Sequence, residues 1–130
     1  MEIQFKSVIP ILRIFDLEKA RRFYLGFLGF TENWLHRFDE TAPAYLEVER
    51  AGMKLHLSEH HGDCCPGATV FVWMTGIHAF HQEILATNYS NNRPGIERAF
   101  YDAWCVEVID PFGNRIRFNE EIASPASVKD

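Results

Sequence analysis

The sequence has no long run of positive charge: its longest is the pair Arg21-Arg22, and the net charge is −5 at pH 7. Binding to a phosphate backbone rests on clustered Lys and Arg, so the composition speaks against a nucleic-acid partner and leaves room for a cationic ligand. No apolar run comes near the roughly twenty residues that cross a bilayer, and residues 1–6 lack the layout of a signal peptide. These two absences predict a cytoplasmic protein with no membrane partner. Cysteine is scarce too: Cys64 and Cys65 are adjacent and Cys105 stands alone, which is neither a disulfide framework nor a zinc-type C-x-x-C spacing. All three are predicted to be free thiols, with Cys64 and Cys65 of no assigned role.

What the chain does have is apolar and aromatic material. Its 130 residues suit one domain, 1–130, and 47% hydrophobic and 14% aromatic residues supply a core with rings to spare for lining a pocket. Residues 5–15 read as a strand rich in Val, Ile and Leu, interrupted only by Pro10, which has no N–H to give to a ladder and so marks a bend or an exit from the sheet. Asp16 is placed to cap a helix whose stripe is Leu17, Ala20, Tyr24 and Phe27, ended by Gly26 and Gly29. Three strands follow, at 30–38, 44–49 and 53–58, the last two joined at Arg50-Ala51-Gly52.

The pattern then repeats. After a polar linker at 60–67 come a strand at 68–74, a possible N-cap at Thr75, and a helix to about Asn88 with Ile77, Phe80, Ile84 and Leu85 on its buried side. Three strands close the unit, at 98–101, 104–109 and 115–119, with Asp110-Pro111-Phe112-Gly113-Asn114 as a turn. The expected fold class is therefore α+β, with two tandem βαβββ modules at about 5–59 and 68–120 forming curved mixed sheets, and a loose tail at 121–130.

Several motifs add to this pattern: Val8-Ile9-Pro10-Ile11-Leu12 before Asp16-Leu17, Phe23-Tyr24, Leu28-Gly29-Phe30 and the Asp110 to Asn114 turn. Together they resemble the vicinal-oxygen-chelate superfamily of glyoxalase I, extradiol dioxygenases, fosfomycin-resistance enzymes and bleomycin-resistance proteins. Pro10, Phe71-Val72-Trp73 and Thr87-Asn88-Tyr89 bring the bleomycin-resistance proteins nearest. That resemblance implies a strand-swapped homodimer whose first strand crosses to its partner near Pro10, with two ligand crevices between the copies and no metal.

Enzymes of this superfamily hold a divalent ion on inward-facing strand positions. The matching positions here are Ile9, His56, Thr69 or Ala68, and Arg117, of which only His56 offers a ligand; an Arg brings a fixed charge that opposes a cation. The other histidines, His36, His60, His61, His78 and His81, lack a metal-like spacing and read as surface residues. Cys105 has no evident basic partner that would make it a nucleophile.

Without a metal, the chemistry left is recognition by aromatic rings and acidic groups, which suit flat heteroaromatic and cationic ligands. The candidates are Trp34 and Phe38 on the second strand, Trp73, Tyr101, Asp102 and Trp104, each ring having core packing as its competing reading, and each acid a solvated surface. In the resembled proteins the ring at the place of Trp34 stacks on the ligand and a Ser at the place of Ser58 lies nearby. A tryptophan-glycine pair common in that family is replaced here by Asp102-Ala103, with Trp104 two positions on. The leading expectation is a protein with no catalytic residues and no cofactor, which confers resistance by sequestering a bleomycin-type cationic antibiotic. The alternatives are a metal-dependent lyase or dioxygenase of the superfamily, and a carrier of another small aromatic molecule.

Overall fold

A computed structural model describes residues 1–123. Strand β1 (Ile11–Arg13) leads into helix α1 (Leu17–Arg21), which continues as a π-helical stretch over Arg22–Phe27 and is followed by β2 (Thr31–His36), β3 (Tyr45–Arg50) and β4 (Met53–Ser58). The second unit holds β5 (Thr69–Trp73), α2 (Ile77–Leu85), β6 (Glu97–Ala99), β7 (Ala103–Ile109) and β8 (Arg115–Glu121). Each unit builds one four-stranded mixed sheet, in the orders β1-β4-β3-β2 and β5-β8-β7-β6, with the first strand of each running parallel to its last. This is the α+β, tandem βαβββ arrangement.

The elements form for local reasons. Asp16 sits in extended conformation and its side chain accepts the Lys19 N–H at 2.9 Å, capping α1. The wide turns of the π-helical stretch carry Phe23, Tyr24, Phe27 and Leu28 into one buried patch, so the buried side is broader than the Leu17-Ala20-Tyr24-Phe27 stripe and Leu17 is only half-buried. Gly26 lies inside this stretch rather than ending it; the chain leaves the helix at Gly29, whose φ of 78° is left-handed. A Cβ there would also lie 2.6 Å from a guanidinium nitrogen of Arg50.

Alternation along the strands splits each sheet into an inner and an outer face. Leu46, Val48, Leu55 and Leu57 from the first sheet and Val106, Val108, Ile116 and Phe118 from the second join the helices in one shared core. The two units are tied across this core by polar contacts. Tyr24 donates to the buried Asp110 at 2.7 Å, and the Asn114 amide donates to the Arg13 carbonyl at 2.7 Å. Arg50 donates to both the Leu28 carbonyl and the Glu83 carboxylate.

Several expectations shift. The first strand is far shorter than 5–15: its ladder to β4 opens with the His56 N–H donating to the Pro10 carbonyl, and residues 1–8 stand exposed. Pro10 has no N–H to extend the pairing, and Ile3, Phe5 and Val8 on that arm are 86–91% exposed. Thr75 does not cap α2; Gly76 takes that place with φ of 81°, and Glu120 from β8 accepts the Ile77 N–H at 2.8 Å. Helix α2 stops at Leu85, short of Asn88, and just beyond it the Thr87 hydroxyl donates to the Ile84 carbonyl. His81 is buried on α2 and bonds the Pro94 carbonyl at 2.8 Å, whereas His78 is exposed. The expected tail at 121–130 begins inside β8, since Glu121 is paired with Ala103; residues 124–130 lie outside the described part.

Candidate ligand-binding faces

With one face of each sheet buried in the core, the opposite faces carry the chemistry. On the first sheet Trp34, Glu47, His56 and Ile11 form one row across β2, β3, β4 and β1, and His36, Tyr45, Ser58 and Arg13 form the next. A bulge between Glu32 and Trp34 puts Asn33 beside this row, where its amide donates to Glu47 at 2.8 Å and Glu49 at 2.9 Å. Trp34 is 43% exposed and lies parallel to the Tyr45 ring, with centroids 5.9 Å apart and planes 7° apart. The His56 ring meets both edge-on.

Beneath these rings runs a hydrogen-bonded chain. The Glu47 carboxylate accepts, so His56 Nε2 donates to it across 3.0 Å, and the other ring nitrogen, Nδ1, is hydrogen-bonded to the Tyr45 hydroxyl at 2.7 Å. The Asn33 amide, and then His56, hold the Glu47 carboxyl below the usual carboxylate range. Burial, reinforced by Asp63, Cys64 and Glu47, pushes the Tyr45 phenol up, so Tyr45 is a neutral hydroxyl at neutral pH. The face thus offers a stacked aromatic surface beside the ionised Glu47.

On the second sheet the rows are Trp73-Asn119-Cys105-Glu97, Phe71-Arg117-Glu107 and Thr69-Arg115-Ile109. Phe71 and Trp73 are 47% and 53% exposed, their rings 5.1 Å apart, and Tyr101 joins them at 5.8 Å and 6.1 Å with its hydroxyl bonded to Asn119. Glu107 accepts from Arg117 Nε at 2.7 Å and Arg115 at 3.0 Å, and those bonds, Arg117's first, keep its carboxyl below the usual range. Trp73 also borders an open cleft of about 710 Å³ between the β3–β4 turn and the second sheet, shared with Phe30, Met53, Met74 and Phe80.

The candidate residues therefore divide. Trp34 belongs to the first face, and Phe38, beyond the end of β2, is 84% exposed with its ring edge against His36. Ser58 is fully buried; it donates to Asp63 at 2.6 Å and accepts the His60 N–H, anchoring the start of the linker. Trp73 and Tyr101 sit together on the second face. Asp102 lies in the β6–β7 turn with φ of 54°, exposed and paired with Arg98. Trp104 points to the other side of β7, against His78 of α2 and the core. Tyr45, Glu47, Phe71 and Asn33 were not singled out from the sequence as the makers of these faces; Glu107 was expected, with Asp39 and Asp102, to lend negative charge to the pocket mouth, and it is instead paired with Arg115 and Arg117. The alternation Tyr45-Leu46-Glu47-Val48-Glu49 carries the signal for the first, because its apolar members are those the core takes.

The positions that hold metal in the resembled enzymes do not suit one here. Ile9 has no donor atom, both ring nitrogens of His56 are engaged, and Arg117 is a cation bound to Glu107. Among the described residues no group of three or more His, Cys, Asp or Glu converges as a metal site. Burial raises both the Cys64 and the Cys105 thiols, which disfavours the thiolate that a nucleophile needs.

Paired βαβββ units, each with one open, ring-lined sheet face, are the arrangement of the glyoxalase fold. The chain belongs to the glyoxalase superfamily: the family described as "Glyoxalase superfamily protein" matches residues 1–124. Comparison with curated proteins returns no match. Among solved structures the chain is similar to the bleomycin-binding protein of Streptomyces verticillus complexed with copper(II)-bleomycin, at 21% identity and TM-score 0.70 over 93% of this chain and 100% of that one. It is also similar to an antibiotic-binding protein from Streptomyces sp. CB03234 (16%, 0.70, 93% and 100%) and to a glyoxalase-related enzyme from Clostridium phytofermentans (17%, 0.72, 92% and 98%). These likenesses establish the fold. No helix of the described residues is long and apolar enough to cross a membrane.

Proposed function

We infer that this protein binds and sequesters a flat, cationic, bleomycin-type antibiotic, without metal and without turnover, and so confers resistance to it in the cytoplasm. The observation that carries the reading is the half-exposed Trp34, stacked parallel on Tyr45 beside the Glu47 carboxylate, with Glu49 next along β3. A ring in that setting takes a planar heteroaromatic group by stacking, worth about 0.5–1.5 kcal/mol beyond area burial, while the carboxylates favour a positive charge nearby. Two similar structures contain bleomycin-binding and antibiotic-binding proteins, which agrees with that ligand class. The donor-poor positions 9 and 117 support a binder over a metal-dependent lyase or dioxygenase.

The working form in this reading is a homodimer. Residues 1–8 leave the body at Pro10 with Ile3, Phe5 and Val8 exposed, and the outer edges of β1 and β5 have no partner strand among the described residues. A second copy that receives the arm covers this apolar surface and brings the first face of one chain opposite the second face of the other, enclosing two crevices. The test is a titration of metal-stripped protein with metal-free bleomycin, followed by tryptophan fluorescence, for the wild type and Trp34→Ala. Saturable quenching that disappears in the variant supports the reading; quenching unchanged by the substitution moves the ligand away from Trp34 and overturns it.

A further inference from the structure

The second face differs in charge from the first, and the difference points to a second chemistry. Arg117 of β8 is half-exposed, with Phe71 beside it on β5 and Glu107 beside it on β7. We propose that Arg117, set between Phe71 and Glu107 on the second sheet, is an oxyanion subsite that takes the carboxylate of a small aromatic acid, its ring lying against Phe71, Trp73 and Tyr101.

Three observations converge on this. Glu107 is one carboxylate shared by two guanidiniums, Arg115 and Arg117, so the cluster keeps a net positive charge. Glu107 takes only the Nε–H of Arg117, and the two Nη groups meet no protein acceptor among the described residues. Those N–H groups form a planar fork matched to a carboxylate. The half-exposed rings of Phe71 and Trp73 begin at the neighbouring strand, Phe71 being the cross-strand partner of Arg117 itself. A structural ion pair on a sheet needs one cation for one anion and is worth little at this exposure; the second guanidinium and the flanking rings are what such a pair leaves unexplained. Tyr101 is held in place by its bond to Asn119, so one side of the subsite is already ordered. In effect the guanidinium gives the sheet a positive centre without a metal, restricted to charge and hydrogen bonding.

The inference goes beyond the antibiotic-binding reading and stands on the second face alone. It is tested by calorimetric titration of wild type, Arg117→Gln and Glu107→Gln with 2-naphthoate and with its uncharged counterpart 2-naphthamide. The expected result is a preference of the wild type for the acid of about tenfold, the scale of one charge-assisted hydrogen-bonded contact, weakened by added salt. Arg117→Gln abolishes the preference, while Glu107→Gln enlarges it by releasing the guanidinium. Equal affinity for the two probes, a preference that survives Arg117→Gln, or no binding of either probe overturns the proposal. A protein that ignores bleomycin yet shows the Arg117-dependent preference supports this subsite and removes only the antibiotic; circular dichroism of both variants confirms that the exposed substitutions leave the fold intact.

Discussion

Tyr24 shows how much of the structure rests on single residues. It is fully buried, and its hydroxyl joins the first unit to Asp110, the residue whose carboxylate also accepts the Phe112 and Asn114 N–H groups and organises the turn before β8. Tyr24→Phe is predicted to cost about 1–2 kcal/mol, measured by urea unfolding, because Asp110 loses a buried partner. Burial first, then the Asp110 charge, push the Tyr24 phenol well above its ordinary value. Its contribution to stability is thus complete below about pH 10 and falls as pH rises beyond it, where the unfolded tyrosine ionises and the buried one resists. The variant is expected to lose less stability than wild type between pH 9 and roughly 11. Gly29→Ala combines a left-handed φ with a collision on Arg50, whose guanidinium links Leu28 to Glu83, and is predicted to destabilise by about 2 kcal/mol in the same assay. At this scale the sequence revealed Trp34 as a ring on a strand face, because it alternates with polar neighbours; Trp73 sits in an apolar run that reads as core, and Tyr101, expected at the end of a strand at 98–101, lies in the turn after β6. The sequence did not reveal which face: Trp104 looks equally available on paper, and only the register with Glu120 and the packing on His78 turn it toward α2.

The elements follow from short signals, and they fail where the signal is shared with a distant part of the chain. The β3–β4 hairpin is a two-residue turn in which Ala51 and Gly52 both have positive φ, 51° and 89°. That geometry favours Asn or Gly first, so Ala51→Asn is predicted to raise stability by about 0.5–1 kcal/mol, read as a higher urea midpoint at unchanged slope. The strand β4, the Asp16 cap and the Asp110 to Asn114 turn were legible because each is settled by its own neighbours. The cap of α2 was not, since Glu120 reaches it from 43 positions along the chain and Thr75 looks the better local choice. The length of β1 was not legible either: an apolar run predicts extended backbone but does not say whether its partner strand belongs to the same chain.

For the whole molecule, the proposed pairing of two copies turns an exposed arm and two open faces into a closed site. Removing residues 1–8 is expected to leave each unit folded and to shift sedimentation from dimer to monomer, because the exposed Ile3, Phe5 and Val8 would no longer be available to a second copy. An unchanged dimer after the truncation would detach the arm from assembly. The central claim is retention of an antibiotic without chemistry, and its most direct test is isothermal calorimetry of the metal-stripped protein with metal-free bleomycin, followed by recovery of the drug. The account predicts saturation near one ligand per chain and a drug returned unaltered. Binding that appears only after a divalent metal is added to the protein, or a drug returned chemically changed, would contradict it.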